Sequence, residues 1–110
     1  MSTSDRRRRA RVMFHTPVRG DAGGARIFVL DVSPIGVGIT HENPLPPPGG
    51  VCRVELLSDL GPIRLDCAIV RTVKRNAADA ARAVFYSGLE VLAADRQSAA
   101  RLESIAEEEK

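Results

Sequence analysis

The sequence predicts an all-β fold, a six-stranded antiparallel β-barrel followed by one C-terminal α-helix. Three observations carry that prediction. Apolar and polar residues alternate in short runs, as in Cys52-Arg53-Val54-Glu55-Leu56 and Ile63-Arg64-Leu65-Asp66-Cys67. Turn formers such as Asp21-Ala22-Gly23-Gly24, Ser33-Pro34-Ile35-Gly36 and Gly61-Pro62 separate the runs. The period lengthens to that of a helix only beyond Asp95. A small barrel also removes the strand edges that six short strands would otherwise expose.

Residues 1–5 read as a disordered lead, with an arginine run behind them that orders only on binding. Val12 to Val18 is a weak strand, and Ala25 to Leu30, β-branched and aromatic, is a strong one. Ser33-Pro34-Ile35-Gly36 breaks it, Gly36 permitting a positive φ, and Val37 to Thr40 resumes extended structure. His41 to Gly50 holds Pro44, Pro46, Pro47 and Pro48 and forms a rigid loop. Val51 to Leu57 and Ile63 to about Val73 alternate, Lys74 to Ala80 reads as a loop, and Arg82 to Leu92 as the last strand. Asp95 is a suitable N-cap for a helix over 96–108, with Leu92, Ala99, Leu102 and Ile105 near one stripe. The glutamates at its end oppose the helix dipole, so fraying is expected there.

The 110 residues make one domain, divided into an arm over 1–11 and a barrel with its helix over 12–110. The net charge of +2 hides an asymmetry: five arginines and one aspartate in the first eleven residues, four glutamates and one lysine in the last eight. No apolar run approaches the roughly 20 residues of a membrane helix. The basic start has no apolar stretch behind it, which argues against a secretory signal. Cys52 and Cys67 therefore read as reduced core thiols of a cytoplasmic protein. There is no C-x-x-C pair, and His15 and His41 stand apart, so no metal site and no cofactor is expected.

Two polar motifs remain. Arg6-Arg7-Arg8-Arg9-Ala10-Arg11 contains R-x-x-x-R, whose guanidinium forks suit phosphates and guanine edges. Read alone, it is a solvated basic arm, a nonspecific nucleic-acid patch or a cloning remnant. Arg7 and Arg11 are four apart, so they share a face in a helix and in an extended chain alike. Asp31-Val32-Ser33-Pro34-Ile35-Gly36 reads D-x-S-x-x-G. Read alone, it is a turn in which Asp and Ser fold back on the backbone. A rigid turn is also a good place to present an acceptor and a hydroxyl to a ligand.

The conjunction is more specific than either part. R-x-x-x-R is followed, after nineteen residues, by D-x-S-x-x-G on the turn after a strand. This resembles the PilZ domain family of bacterial cyclic di-GMP receptors. The resemblance extends through Phe85-Tyr86-Ser87-Gly88-Leu89-Glu90-Val91 and the helix after it, and so covers nearly the whole chain. It implies a PilZ-like six-stranded barrel, in agreement with the strand count. It implies cyclic di-GMP as ligand, with Arg7 and Arg11 on phosphate oxygens and the guanine O6/N7 edge. Asp31 would accept from guanine N1–H and N2–H, Ser33 would hydrogen-bond nearby, and Gly36 would let the backbone approach. Arg6 and Arg8 would stack on purine faces, and an arginine at Arg6's place implies an intercalated ligand dimer. The family often has proline where this chain has Ala10, so ordering the arm costs more here. With no output domain on the chain, an unknown partner protein would read the ordered arm.

Three rivals are weighed. A hydrolase built on Ser33 with His15 or His41 lacks a G-x-S-x-G elbow. A nucleic-acid-binding barrel gains from the arm but is opposed by scarce aromatics and a small net charge. A PilZ-like adaptor without ligand binding is opposed by the presence of the motif arginines.

Overall fold

The computed structural model describes residues 12–76 and 83–108, which form six strands and one helix. They are β1 (Val12–Ala22), β2 (Ala25–Ser33), β3 (Gly36–His41), β4 (Val51–Ser58), β5 (Gly61–Asn76), β6 (Ala83–Ala94) and α1 (Arg96–Glu108). The strands close in the order β1-β2-β3-β6-β5-β4, and every pairing is antiparallel. The six-stranded ring with one terminal helix is the fold the alternation predicts.

Several strands run past their expected ends, β1 and β5 most of all. β1 runs past Val18 to Ala22 because its inward residues there, Gly20 and Ala22, are too small to signal an apolar face. Gly20 is also needed small, since a Cβ on it would lie 2.6 Å from the Glu55 carbonyl oxygen. β5 runs through Lys74 to Asn76, where residues 71–75 are all exposed and no apolar alternation exists to be read.

The core is the inward face of the ring. Cys52, Val54 and Leu56 of β4 and Ile63, Leu65, Cys67 and Ile69 of β5 are buried, as their alternation requires. Cys52 and Cys67 are register partners and both are free thiols. Burial, with smaller contributions from Cys52 and Asp66, pushes the Cys67 thiol up to about 12, so it behaves as a small apolar side chain.

Helix α1 packs chiefly on β5, and also touches β2 and β6. Ser98, Leu102 and Ile105 form its buried stripe. The expected stripe also held Leu92 and Ala99, but both are exposed: Leu92 is an unpaired bulge residue of β6, and Ala99 faces solvent. Asp95 is the N-cap, accepting from the Ser98 N–H at 2.7 Å. Ser98 Oγ donates to Asp95 at 3.1 Å and accepts from the Arg64 N–H at 2.8 Å, which fastens the first turn to β5. Arg101 Nη1 donates to the Pro62 carbonyl at 2.6 Å, and its guanidinium lies where a Cβ on Gly61 would fall. Gly61, with φ of 121°, is thus required by both backbone and neighbour.

Replacing Leu102 with alanine is expected to cost about 2–5 kcal/mol of stability in urea denaturation, because the helix loses an apolar anchor that is 3% exposed. The Ser98 N–H holds the Asp95 carboxyl below its ordinary value. The cap therefore stabilises fully above the unfolded value of about 3.9 and is lost as pH falls through the folded one. Thermal melts of Asp95→Ala should lie below wild type at neutral pH, and the gap should close on acidification below about pH 4.

Candidate functional site

Pro34 and Ile35 are the two central residues of a tight hairpin, with Ser33 and Gly36 paired across it. Proline fixes φ near −65°, so this is not one of the hairpin turns that need a positive φ at their first central residue. The Ser33 hydroxyl does the holding instead. Its Oγ accepts from Ile35 N–H at 3.3 Å and Gly36 N–H at 3.1 Å, and donates to the Gly36 carbonyl at 3.5 Å. The β4–β5 hairpin repeats the device in Ser58-Asp59-Leu60-Gly61, where Ser58 Oγ accepts from Leu60 N–H at 3.2 Å and donates to the Gly61 carbonyl at 2.6 Å. The S-x-x-G half of the motif is therefore a hairpin clamp that the chain uses twice. Gly36 does not use the positive φ that glycine permits; the described glycines that do are Gly23, Gly24, Gly49 and Gly61. Gly36 is instead the first residue of β3, extended and paired with both Ser33 and Glu90.

Asp31 is placed by a bulge. Val29 pairs with Ile39 and Asp31 with Gly38, so Leu30 has no register partner. Ile27 and Val29 point into the core, and strict alternation would send Asp31 after them. The extra residue shifts the phase: Val32 turns inward, 1% exposed, and Asp31 turns to the outer face. There its carboxylate lies over Gly38, where a Cβ would meet Oδ2 at 2.7 Å and Oδ1 at 2.9 Å. Asp31 is nevertheless only 4% exposed.

The register sets Met13, Asp31, Gly38, Gly88 and Arg71 in one row across β1, β2, β3, β6 and β5. No described residue lies within 4 Å of where a Cβ on Gly88 would sit. Two adjoining glycines thus leave a strip of bare backbone between Asp31 and the exposed Arg71. Neither glycine was singled out by motif reading. The signal for them is an isolated glycine inside a strand, which marks close approach.

Of the arginines, Arg6, Arg7, Arg8 and Arg11 lie outside the described residues. The point where their segment joins the barrel is described. β1 begins at Val12, directly opposite Val32, and Met13 is opposite Asp31. Arg11 is thus covalently next to a residue paired within the D-x-S motif. Arg7 is five residues from Val12, within at most about 18 Å of chain.

The other polar groups serve the fold. His41 Nδ1 lies 2.7 Å from the Asn43 carbonyl, so it donates, and a neutral ring then accepts at Nε2 from Ser87 Oγ at 2.8 Å. Thr72 Oγ1 completes the chain at 2.8 Å from Ser87, and Phe85 stacks on the ring at 5.3 Å. Ser87 is 0% exposed and His41 3%, so this Ser–His contact is a buried polar layer. His15 is exposed, on a stretch of β1 that slips out of register with β2. A cavity of about 480 Å³ beside His41, lined by Arg26, Phe28, Thr40 and Val84, contains none of the motif residues. No helix among the described residues is long and apolar enough to cross a membrane.

A closed six-stranded ring, a clamped D-x-S-x-x-G hairpin and one terminal helix define a small β-barrel domain. Residues 5–108 match the family model of the PilZ domain, and the chain belongs to that family. Among solved structures it is similar to the PilZ domain with c-di-GMP of YcgR from Escherichia coli, at 18% identity and a TM-score of 0.72, covering 94% of this chain and 91% of that one. It is similar to K. pneumonia MrkH in its apo state, at 12% identity and a TM-score of 0.71, covering 91% of this chain and 47% of MrkH. It is also similar to the Bacillus subtilis inhibitor of motility MotI/DgrA, at 15% identity and a TM-score of 0.67, covering 94% of this chain and 50% of that one. No curated protein sequence matches.

Gly38→Ala is expected to lower the thermal unfolding midpoint, because its Cβ must displace the Asp31 carboxylate. Gly88→Ala, in open space, meets no such collision. Equal losses in the two variants would show that the outer-face placement of Asp31 contributes nothing to stability.

Proposed function

We propose that this protein is a cyclic di-GMP receptor whose arginine arm orders on ligand binding and is then read by a partner protein. The observation that carries the reading is the attachment of the arm: β1 starts opposite Val32 and next to the carboxylate of Asp31. A ligand that is both anionic and guanine-bearing satisfies both groups at once. Arg7 and Arg11 grip phosphate and the guanine O6/N7 edge through bidentate forks. Asp31 accepts from guanine N1–H and N2–H, which adenine cannot supply in that pattern. Ser33 and Gly36 act as positioning residues, since the Ser33 hydroxyl is already engaged with the turn. Arg6 and Arg8 stack on purine faces, favouring two intercalated ligands per site.

The switch is electrostatic. Without ligand, adjacent guanidinium groups repel one another. The ligand neutralises them and clamps the arm over the Asp31 turn, which presents a new surface to the partner. The family membership and the YcgR structure, which holds c-di-GMP on a similar barrel, support this reading.

Isothermal calorimetry of the full chain tests it. Cyclic di-GMP should bind with two ligands per protein, and cyclic di-AMP should not. Arg7→Ala, Arg11→Ala and Asp31→Ala should each weaken binding at least about tenfold, the loss of one charged hydrogen bond being worth about 1.5–3 kcal/mol. Unchanged affinity in Arg11→Ala would remove the arm from the site. No heat at all would assign the barrel to protein contacts alone.

A further inference from the structure

Among the described residues, the far end of β5 has one edge without a strand partner. β4 covers β5 only as far as Ala68, opposite Val51. The chain before β4 extends that cover by one residue, through Gly49 N–H to the Ile69 carbonyl and Ile69 N–H to the Gly50 carbonyl, both at 2.8 Å. Val70 is then a bulge, and from Arg71 to Asn76 the strand pairs with β6 alone. Among the described residues no backbone hydrogen bond reaches the other side of Val70–Asn76. Seven residues in extended form span about 23 Å, enough for a full additional strand.

The chemistry of this edge is one-sided. Arg71, Lys74 and Arg75 are exposed cations, Val70 and Val73 are 57% and 41% exposed, and the segment contains no carboxylate. Its register partners on β6, Ala83 to Gly88, contain none either. Cations on an edge are an ordinary defence against self-association, because a second copy of the same edge would set like charges opposite one another. The same cations favour an incoming strand that carries carboxylates. The valines give such a strand apolar contacts at intervening positions, which a nucleic-acid backbone does not use.

We infer that the free edge of β5, Val70–Asn76, is a docking site for an extended acidic segment of a partner protein, bound by strand addition. The surface uses neither the arm nor the Asp31 turn, so it stands or falls separately from ligand binding.

The test is an amide-resolved NMR titration of the full chain with a capped eight-residue peptide alternating glutamate and valine. Saturable shifts and slowed hydrogen exchange confined to Val70–Asn76 and their β6 partners are expected. Lys74→Glu combined with Arg75→Glu should weaken binding at least tenfold, and a peptide alternating lysine and valine should not bind. Four results would overturn the proposal. They are shifts centred elsewhere, equal binding to the charge-reversed variant, tighter binding at these amides by a single-stranded oligonucleotide of equal charge, and dimerisation of the free chain through this edge.

Discussion

An antiparallel strand in a small barrel offers two faces, and a carboxylate can occupy only one of them cheaply. The unpaired Leu30 settles which face Asp31 takes. Without it, the inward phase of Ile27 and Val29 would carry Asp31 into an apolar interior and Val32 out to solvent. One extra residue reverses both assignments. Val32 joins Val37 in the core, and Asp31 moves to the outer face beside the first residues of β1. The outer-face position of Asp31 and the need for glycine at position 38 both follow from that phase change.

The hairpin after it divides the motif into two kinds of work. Serine is a small side chain able to accept backbone N–H groups across a two-residue turn, and it accepts two at Ser33 and one at Ser58. The second instance has no aspartate two residues before it, where Leu56 faces the core instead. What separates a structural turn from a candidate site is therefore the residue two before the serine. The clamp supplies rigidity and Asp31 supplies the chemistry. The turn is held from a second side as well, through the Ile35 carbonyl accepting from Val91 N–H at 3.0 Å.

Most of the scaffold was legible because core-facing strands alternate. Val51 to Leu57 and Ile63 to Ile69 bury the residues their rhythm nominates. The β5 extension was not legible, since a strand exposed on both faces beyond Ile69 has no apolar face to announce it. The stripe of α1 was half legible: Leu102 and Ile105 follow from spacing, but Ser98 is buried for its hydrogen bonds to Asp95 and Arg64, which composition cannot show. At the candidate site, Asp31 was readable as a motif residue, yet its orientation was not. A bulge is a property of pairing, fixed by β3 as much as by β2. Gly38 and Gly88 carry the general signal of a glycine inside a strand, but that they stand opposite each other is again a property of pairing.

Cationic charge is concentrated in two segments of this chain, the arm and the β5 edge, and charge alone does not tell them apart. What stands opposite does. The arm joins the barrel beside a carboxylate and a rigid turn, so a ligand there must satisfy donors and an acceptor together. The edge stands beside open backbone groups and two valines, so its partner must bring a backbone of its own. The row from Asp31 through Gly38 and Gly88 to Arg71 spans the sheet between the two segments, about three strand spacings or 14 Å. That distance lets a small ligand occupy the Asp31 end without covering the β5 edge. On the two proposals, the ligand and the acidic strand would meet one curved sheet at opposite ends of this row.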